Sequence, residues 1–291
     1  MSERAKPMGT LEHILDLDLT LQIADVGAAV IIEEPPYQQL MDGGLAHLHA
    51  FDAEERNHHA LRLKHGDKVT VYPDIIGDGR TQTLHIASIP ESGMTSLLKP
   101  SQKHLEFFNG FENFGAIKKT TDVKTTRLDD ISDLPSIDYL KIDIQGGELQ
   151  ALQNGLQKLA TCIAVQMEIS FVQLYENQPR FGEVDVWMQS QGFIPHSFAD
   201  IKRWSIAPTV RNNDVRQPFN QLLEADIVYI RDPIKWSGMS HDAMKKLILI
   251  AHYCYSSVDL AIYLIKKLEE ENVLPSASVA AYIEFMRAPK P

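Results

Sequence analysis

The run IDYLKIDIQGGELQALQNG (residues 137–155) constrains this chain more than any other stretch. It begins as an apolar strand, stops on Asp143, turns through Gly146 and Gly147, and restarts at Glu148. Leu149, Leu152, Leu156 and Leu159 then recur three and four apart, the period of a helix lying on a sheet. Open α/β sheets place ligands where the carboxyl end of a strand meets such a turn and a helix start. Glu148 falls in the first helical turn, where the helix dipole favours a negative charge. Alone, the pattern is also that of an ordinary βα turn with a helix-terminal charge. Two upstream stretches decide between the readings.

The first is LQIADVGAAV (residues 21–30), a buried strand that runs into Asp25 and Gly27. The second is LAHLHAFDAEERN (residues 45–57), a strand that ends on Asp52. Strand, Asp-x-Gly, and a second strand ending in an acid is the sign of an adenosine-type ligand. Gly27 lets the backbone approach it, and Asp52 accepts hydrogen bonds from ribose hydroxyls. A dinucleotide site needs G-x-G-x-x-G at this place, and the chain has Gly27-Ala28-Ala29 instead, without a pyrophosphate cradle. The carrier with adenosine, ribose and no phosphates is S-adenosyl-L-methionine.

In order along the chain, DVGA (25–28), AFD (50–52), IIGDG (75–79), SGMTSL (92–97), KTTRLDD (124–130), LKIDIQGGEL (140–149) and VQMEIS (165–170) resemble the motifs of the FkbM family of S-adenosylmethionine-dependent methyltransferases. The resemblance covers about residues 21–207, with a last strand at 225–231. It implies an α/β fold of the class I methyltransferase type: a Rossmann-like, doubly wound, mostly parallel sheet. It implies a cofactor pocket formed by Asp25, Gly27, Ala28, Asp52, Ala53, Gly77, Asp78 and Asp143. It also implies O-methylation of a sugar, glycan or natural product.

Asp143 and Glu148 face each other across the Gly146-Gly147 turn, so each charge disfavours the other and their proton affinities should differ. Asp143 is the expected base, Glu148 the group that orients acceptor or cofactor, and Glu168 on the next strand the alternative base. His196, at the expected end of a strand, and Arg203 and Trp204 beyond it are the expected acceptor contacts. The aromatic segment 101–119 suggests a wall over the cofactor or simple core packing.

The chain departs from the family after Gly27. It continues AVIIEEPPYQQLMDGG (residues 29–44), and Pro35 and Pro36 limit any helix to about residues 37–41. Glu33 and Glu34 are expected to be solvated, the other reading being contact with the cofactor's amino group. The stretch Glu34-Pro-Pro-Tyr37 resembles the Pro-Pro-aromatic motif of amino-methyltransferases, but it follows the wrong strand. This departure also supports an alternative, a binding or assembly module that kept the fold and lost turnover.

Among 291 residues the net charge is −11, with no block of Lys or Arg to meet phosphates, which argues against a nucleic-acid acceptor. The two cysteines lack metal or redox spacing, and the alternating His47 and His49 with His58-His59 match no known zinc pattern, so no metal is expected. The polar N-terminus lacks an apolar signal core and suggests a cytoplasmic chain. Expected boundaries are an N-terminal helical segment (1–19), a methyltransferase domain (20–235) and a helical C-terminal extension (236–291). Within the extension, residues 247–265 are almost long enough to span a bilayer, but His252, Ser256, Ser257 and Asp259 interrupt them. They are expected to pack on the domain or on another copy, giving a homo-oligomer through residues 239–288. Truncation before Met239 is then expected to leave the rest folded.

Overall fold

The computed structural model describes residues 10–28, 34–215, 217–235 and 239–288. Among them the strands are β1 (Leu21–Val26), β2 (Ala46–Phe51), β3 (Val69–Tyr72), β4 (Thr81–Ala87), β5 (Ile117–Lys124), β6 (Tyr139–Ile142), β7 (Ala164–Ser170), β8 (Phe193–Arg203) and β9 (Leu222–Arg231). The helices are α1 (Leu11–Ile14), α2 (Gln38–Asp42), α3 (Glu55–His65), α4 (Gln102–Phe107), α5 (Phe111–Phe114), α6 (Glu148–Gln153), α7 (Leu156–Thr161), α8 (Phe181–Ser190), α9 (His241–Tyr255), α10 (Val258–Glu270) and α11 (Ser278–Arg287).

Seven strands form one sheet in the order β3-β2-β1-β6-β7-β9-β8, and β4 pairs with β5 in a separate hairpin. Within the sheet β9 runs antiparallel to both neighbours, and the other pairings are parallel. The order steps outward from β1 to β3, then returns past β1 to β6. The crevice between the carboxyl ends of β1 and β6 is therefore a topological switch point. This is the doubly wound, mostly parallel sheet expected from the sequence.

Side chains alternate across the sheet and supply two cores. On one face Leu21, Ile23, Leu48, Tyr139 and Ala164 pack with α1, α2, α3 and the C-terminal helices. On the other, Val26, Leu140, Ile142, Val165 and Met167 pack with Leu149 and Leu152 of α6, Leu159 of α7, and Val184 and Met188 of α8. The leucine period that announced a helix after Asp143 is this second interface, although Asn154 and Gly155 divide it into α6 and α7. Losing one such buried leucine costs about 2–5 kcal/mol.

The C-terminal apolar run forms two helices that turn at Ser256, which adopts φ +51°. Leu247, Ile248, Leu249 and Ile250 are fully buried, as befits a helix with apolar groups all round lying between sheet and helices. Lys246 reaches Asp138 at 2.8 Å, and Tyr253 donates to Glu12 at 3.0 Å. The apolar surface that suggested a homo-oligomer is thus buried against the chain's own sheet. Removing these helices would strip one face of the main core, contrary to the expected tolerance of truncation. Among the described residues no helix is long and apolar enough to cross a membrane.

Two expected elements differ. The segment 101–119 contributes Leu105, Phe108 and Phe111 to a third small cluster with Leu174, Tyr175 and Leu223, and its end is strand β5, hidden from sequence by its polar, exposed character. The strand expected to end at His196 continues to Arg203.

Candidate active site

The chain crosses itself closely at the switch point. Gly27 adopts φ +90°, and a Cβ placed there would lie 2.0 Å from the carbonyl oxygen of Asp143. Asp143 donates its N–H to Val26 at 2.9 Å, and the N–H groups of Gly27 and Ala28 both donate to Phe51 at 3.0 and 3.1 Å. These bonds draw the ends of β1, β2 and β6 together and set Asp52 beside Gly27. Asp52 is half-buried, and its carboxylate accepts from Glu54 N–H at 2.6 Å and Asn57 Nδ2 at 2.7 Å. A carboxylate offers about four lone-pair sites, so two stay open. His58, whose ring meets the Asp52 carbonyl at 2.5 Å, fixes this strand end from behind.

Asp143 is half-buried, whereas Glu148 and Glu168 are only 5% and 6% exposed. Oxygens of the three come within 4.8 Å of one another. Glu148 turns back onto its own turn and accepts N–H donors from Ile144 at 2.9 Å and Gly146 at 3.0 Å. Gln145 sends its amide nitrogen to Asp143 at 2.8 Å and to Glu168 at 3.4 Å. Lys202 lies 3.7 Å from Glu168 and 2.8 Å from Glu224. Acids this close could hold a cation, and N–H donors also reach all three. Burial pushes Glu148 up to about 7, with the Asp143 charge adding to it. Burial, then the charges of Asp143, Glu224 and Glu148, hold Glu168 well above the usual carboxylate range against the pull of Lys202. Of the three, Asp143 is the one open to an incoming molecule.

Gln145 is the centre of this arrangement and was not singled out by sequence. It sits at φ +58°, a conformation most side chains avoid. Tyr175 donates its hydroxyl to the Gln145 amide oxygen at 3.0 Å, and Ser96 donates to the Gln145 carbonyl at 2.7 Å. Tyr175 is placed in turn by Gln178, whose amide oxygen accepts from the N–H groups of Leu174 and Tyr175. Ser96 lies inside SGMTSL, so this motif acts by bracing the turn. The KTTRLDD stretch braces too: Thr125 accepts the Gly79 N–H at 3.0 Å, and Asp129 accepts from the start of α7.

Several expected contacts are placed elsewhere. Asp25 is 3% exposed, and its carboxylate accepts from Tyr37 at 2.6 Å and pairs with Lys141 at 3.3 Å, so it supports the strand ends from below. Tyr37, held there, does not present an open aromatic face to an acceptor amine. Asp78 turns its carboxylate to Arg80 and Gln82 (2.6 and 2.8 Å), which outweigh its burial and lower it to about 2. Gly77 is buried against Thr125, and Ala53 is exposed ahead of α3. His196 lies within β8 and meets the Ser257 hydroxyl at 2.8 Å, facing the α9–α10 turn instead of the acceptor side. Arg203 is exposed at the end of β8. Trp204 is half-buried there, donating to Asn109 at 2.8 Å with Phe111 edge-on. His47 meets Thr70 and His49 meets Gln22, each at 2.9 Å. Glu33 lies outside the described residues.

The family model described as the methyltransferase FkbM domain matches residues 25–195. No curated protein matches the chain. Solved structures with a similar course include magnesium protoporphyrin IX methyltransferase from Synechocystis PCC 6803 with bound SAM, at 10% identity and TM-score 0.38 over 79% of this chain and 87% of that one. Precorrin-6y C5,15-methyltransferase from Geobacter metallireducens GS-15 follows at 10% identity and TM-score 0.34 over 76% and 85%. The 23S rRNA methyltransferase ErmE follows at 12% identity and TM-score 0.33 over 84% and 78%.

Proposed function

The chain belongs to the FkbM methyltransferase family, and on that premise we propose that it methylates a hydroxyl oxygen with S-adenosyl-L-methionine as donor and Asp143 as base. The observation that carries this reading is the half-exposed carboxylate of Asp143 at the switch point, beside two buried acids and under the amide of Gln145.

The residues at the crevice suit the donor. Asp52 keeps lone pairs open that would take the ribose hydroxyls, the backbone at Gly77 and Asp78 would flank the adenine, and Asp143 would lie toward the methionine end. Asp25, Gly27 and Ala28 hold the strand ends in register for it. When bound, the donor would supply a sulfonium methyl group for transfer to the acceptor oxygen, with a neutral thioether as the leaving group. Asp143 takes the hydroxyl proton, Gln145 keeps its carboxylate aimed, and the buried Glu148 and Glu168 limit its solvation. Holding the partners in line is worth ~7–11 kcal/mol of barrier, and a placed base about 10²–10⁴-fold in rate.

A small molecule or glycan suits the site better than a nucleic acid, because the net charge is −11 and the cluster at the crevice is acidic. Replacing Asp143 by Asn keeps shape and removes charge. Turnover should then fall about 10²-fold or more while donor affinity stays within a few-fold. Full turnover in that variant, with collapse in Glu168→Gln, would move the base to β7.

A further inference from the structure

The chain between β8 and β9 closes on itself before it rejoins the sheet. Trp204 N–H donates to the Gln221 carbonyl at 3.0 Å, and the Ser205 hydroxyl donates to the Gln217 carbonyl at 2.7 Å. Asn109 donates its amide to the Thr209 carbonyl, and its own carbonyl accepts the Trp204 ring N–H at 2.8 Å. Residues 205–220 therefore form a compact loop with its ends together, of which residue 216 lies outside the described residues.

A loop of this kind is normally packed by its own side chains. Here the apolar ones turn outward. Ile206, Val210, Val215 and Phe219 are between 37% and 46% exposed. Phe107 is 40% exposed beside them, its carbonyl accepting the Ala207 N–H at 2.9 Å. Exposed apolar residues scattered singly need no explanation, but five gathered around one loop do.

Charge follows the same bias. Residues 203–221 hold three arginines (Arg203, Arg211 and Arg216) against one acid, Asp214, in a chain whose net charge is −11. Arg203 and Arg211 are exposed, and Arg211 lies over the Phe219 ring at 5.4 Å. Cations interleaved with exposed aliphatic and aromatic side chains suit the headgroup boundary of a membrane: apolar tips enter the acyl region while guanidinium groups stay with the phosphates. A protein partner is a poorer fit, because a stable interface takes about 20–30 residues a side around an apolar core. A bilayer needs no such area, since each inserted side chain and each cation contributes separately.

We propose that this loop docks the protein on an anionic phospholipid bilayer, lying at its boundary without crossing it. Ile206 and Phe219 also line a cleft of about 580 Å³ together with Phe171, which follows Glu168 by three residues just past the end of β7. Docking brings that cleft to the membrane surface, close to the acidic cluster. On the methyl-transfer reading, on which this consequence rests, the acceptor is carried by a lipid; the docking itself can be read without turnover.

Flotation of the full chain with phosphatidylcholine vesicles, with and without phosphatidylglycerol, tests the proposal. Partition should be about fivefold or more stronger onto the anionic vesicles and should weaken with salt. It should drop about fivefold or more when Val210→Ser and Phe219→Ser are combined, and likewise in Arg211→Glu. Arg211 is exposed, so its variant keeps the result interpretable if the apolar one fails to fold. The docking surface is overturned by failure to bind either vesicle, by equal binding to both, or by binding indifferent to both variants. Failure to bind vesicles together with self-association that Phe219→Ser abolishes would give the surface to a second copy of the chain instead. Asp143→Asn should dock as the parent does; a chain that docks yet transfers no methyl to any acceptor counts against the methyl-transfer reading alone.

Discussion

Gln145 donates its side-chain amide to Asp143 at 2.8 Å while Tyr175 donates to the same amide's oxygen at 3.0 Å. The tyrosine hydroxyl fixes which end of the amide faces the acids, since the reverse orientation would set an oxygen against two carboxylates.

Replacing Gln145 by Glu adds an acid where a donor stood. The acidic limb of the kcat/KM profile should then move to higher pH by about one unit or more, with donor affinity within a few-fold. Tyr175→Phe should move it the same way by less. An unchanged profile in Gln145→Glu would reduce the residue to a packing role.

Glu148 gives a stability prediction with a definite sign. Its folded-state value, about 7, lies above the ordinary 4.5, so the protonated side chain suits the fold and the ionised one does not. Stability from this group is fully present below the ordinary value and is lost as pH rises toward 7. Glu148→Gln keeps the acceptor oxygen for the Ile144 and Gly146 N–H groups and removes the titration. The variant should match the parent at pH 4 and exceed it at pH 8 by up to about 3 kcal/mol, as chemical denaturation would report.

Asp52→Ala removes the carboxylate proposed for the ribose and releases Glu54 N–H and Asn57 at the start of α3. Donor affinity should fall by about 1–3 kcal/mol in calorimetric titration. Asn57→Ala, which loses only the support, separates the two effects: it should weaken binding by a few-fold at most.

Gly27→Ala meets an obstacle that no side-chain motion relieves, because the atom in its path is the Asp143 backbone oxygen at 2.0 Å. Together with φ +90° the change should destabilise the fold by about 3 kcal/mol or more and lower Tm by several degrees. A variant as stable as the parent would mean that β1 and β6 cross less closely than described.

The strand ends at Asp25, Asp52 and Asp143 were legible in sequence because each closes a short apolar run that only a buried strand explains. Their roles were not equally legible. Whether an acid at a strand end faces the crevice or the core depends on what stands beneath it, and Tyr37 and Lys141 claim Asp25 through contacts 12 and 116 residues away. Lys202 and Glu224 reached the site by strand pairing, which no local pattern announces. The strand β5 and the full length of β8 were hidden because their exposed residues lack apolar alternation. Gln145 stood inside the most informative motif and was passed over, since an uncharged amide carries no chemistry until its neighbours are known.

The helices α9 and α10 have a consequence for how this protein is made. Tyr255, at the end of α9, meets the Tyr139 hydroxyl at 2.5 Å and Gln166 at 2.9 Å, so strands β6 and β7 receive their cover from a segment synthesised about a hundred residues later. A nascent chain that has emerged as far as β9 owns every strand of the sheet, yet still exposes one apolar face to its surroundings. Until α9 and α10 emerge, that face is a binding surface for chaperones and for other unfinished chains. The sheet of this enzyme is therefore covered only once α9 and α10 have emerged, and ribosome stalling between β9 and α9 should be the stage at which it is most prone to aggregate.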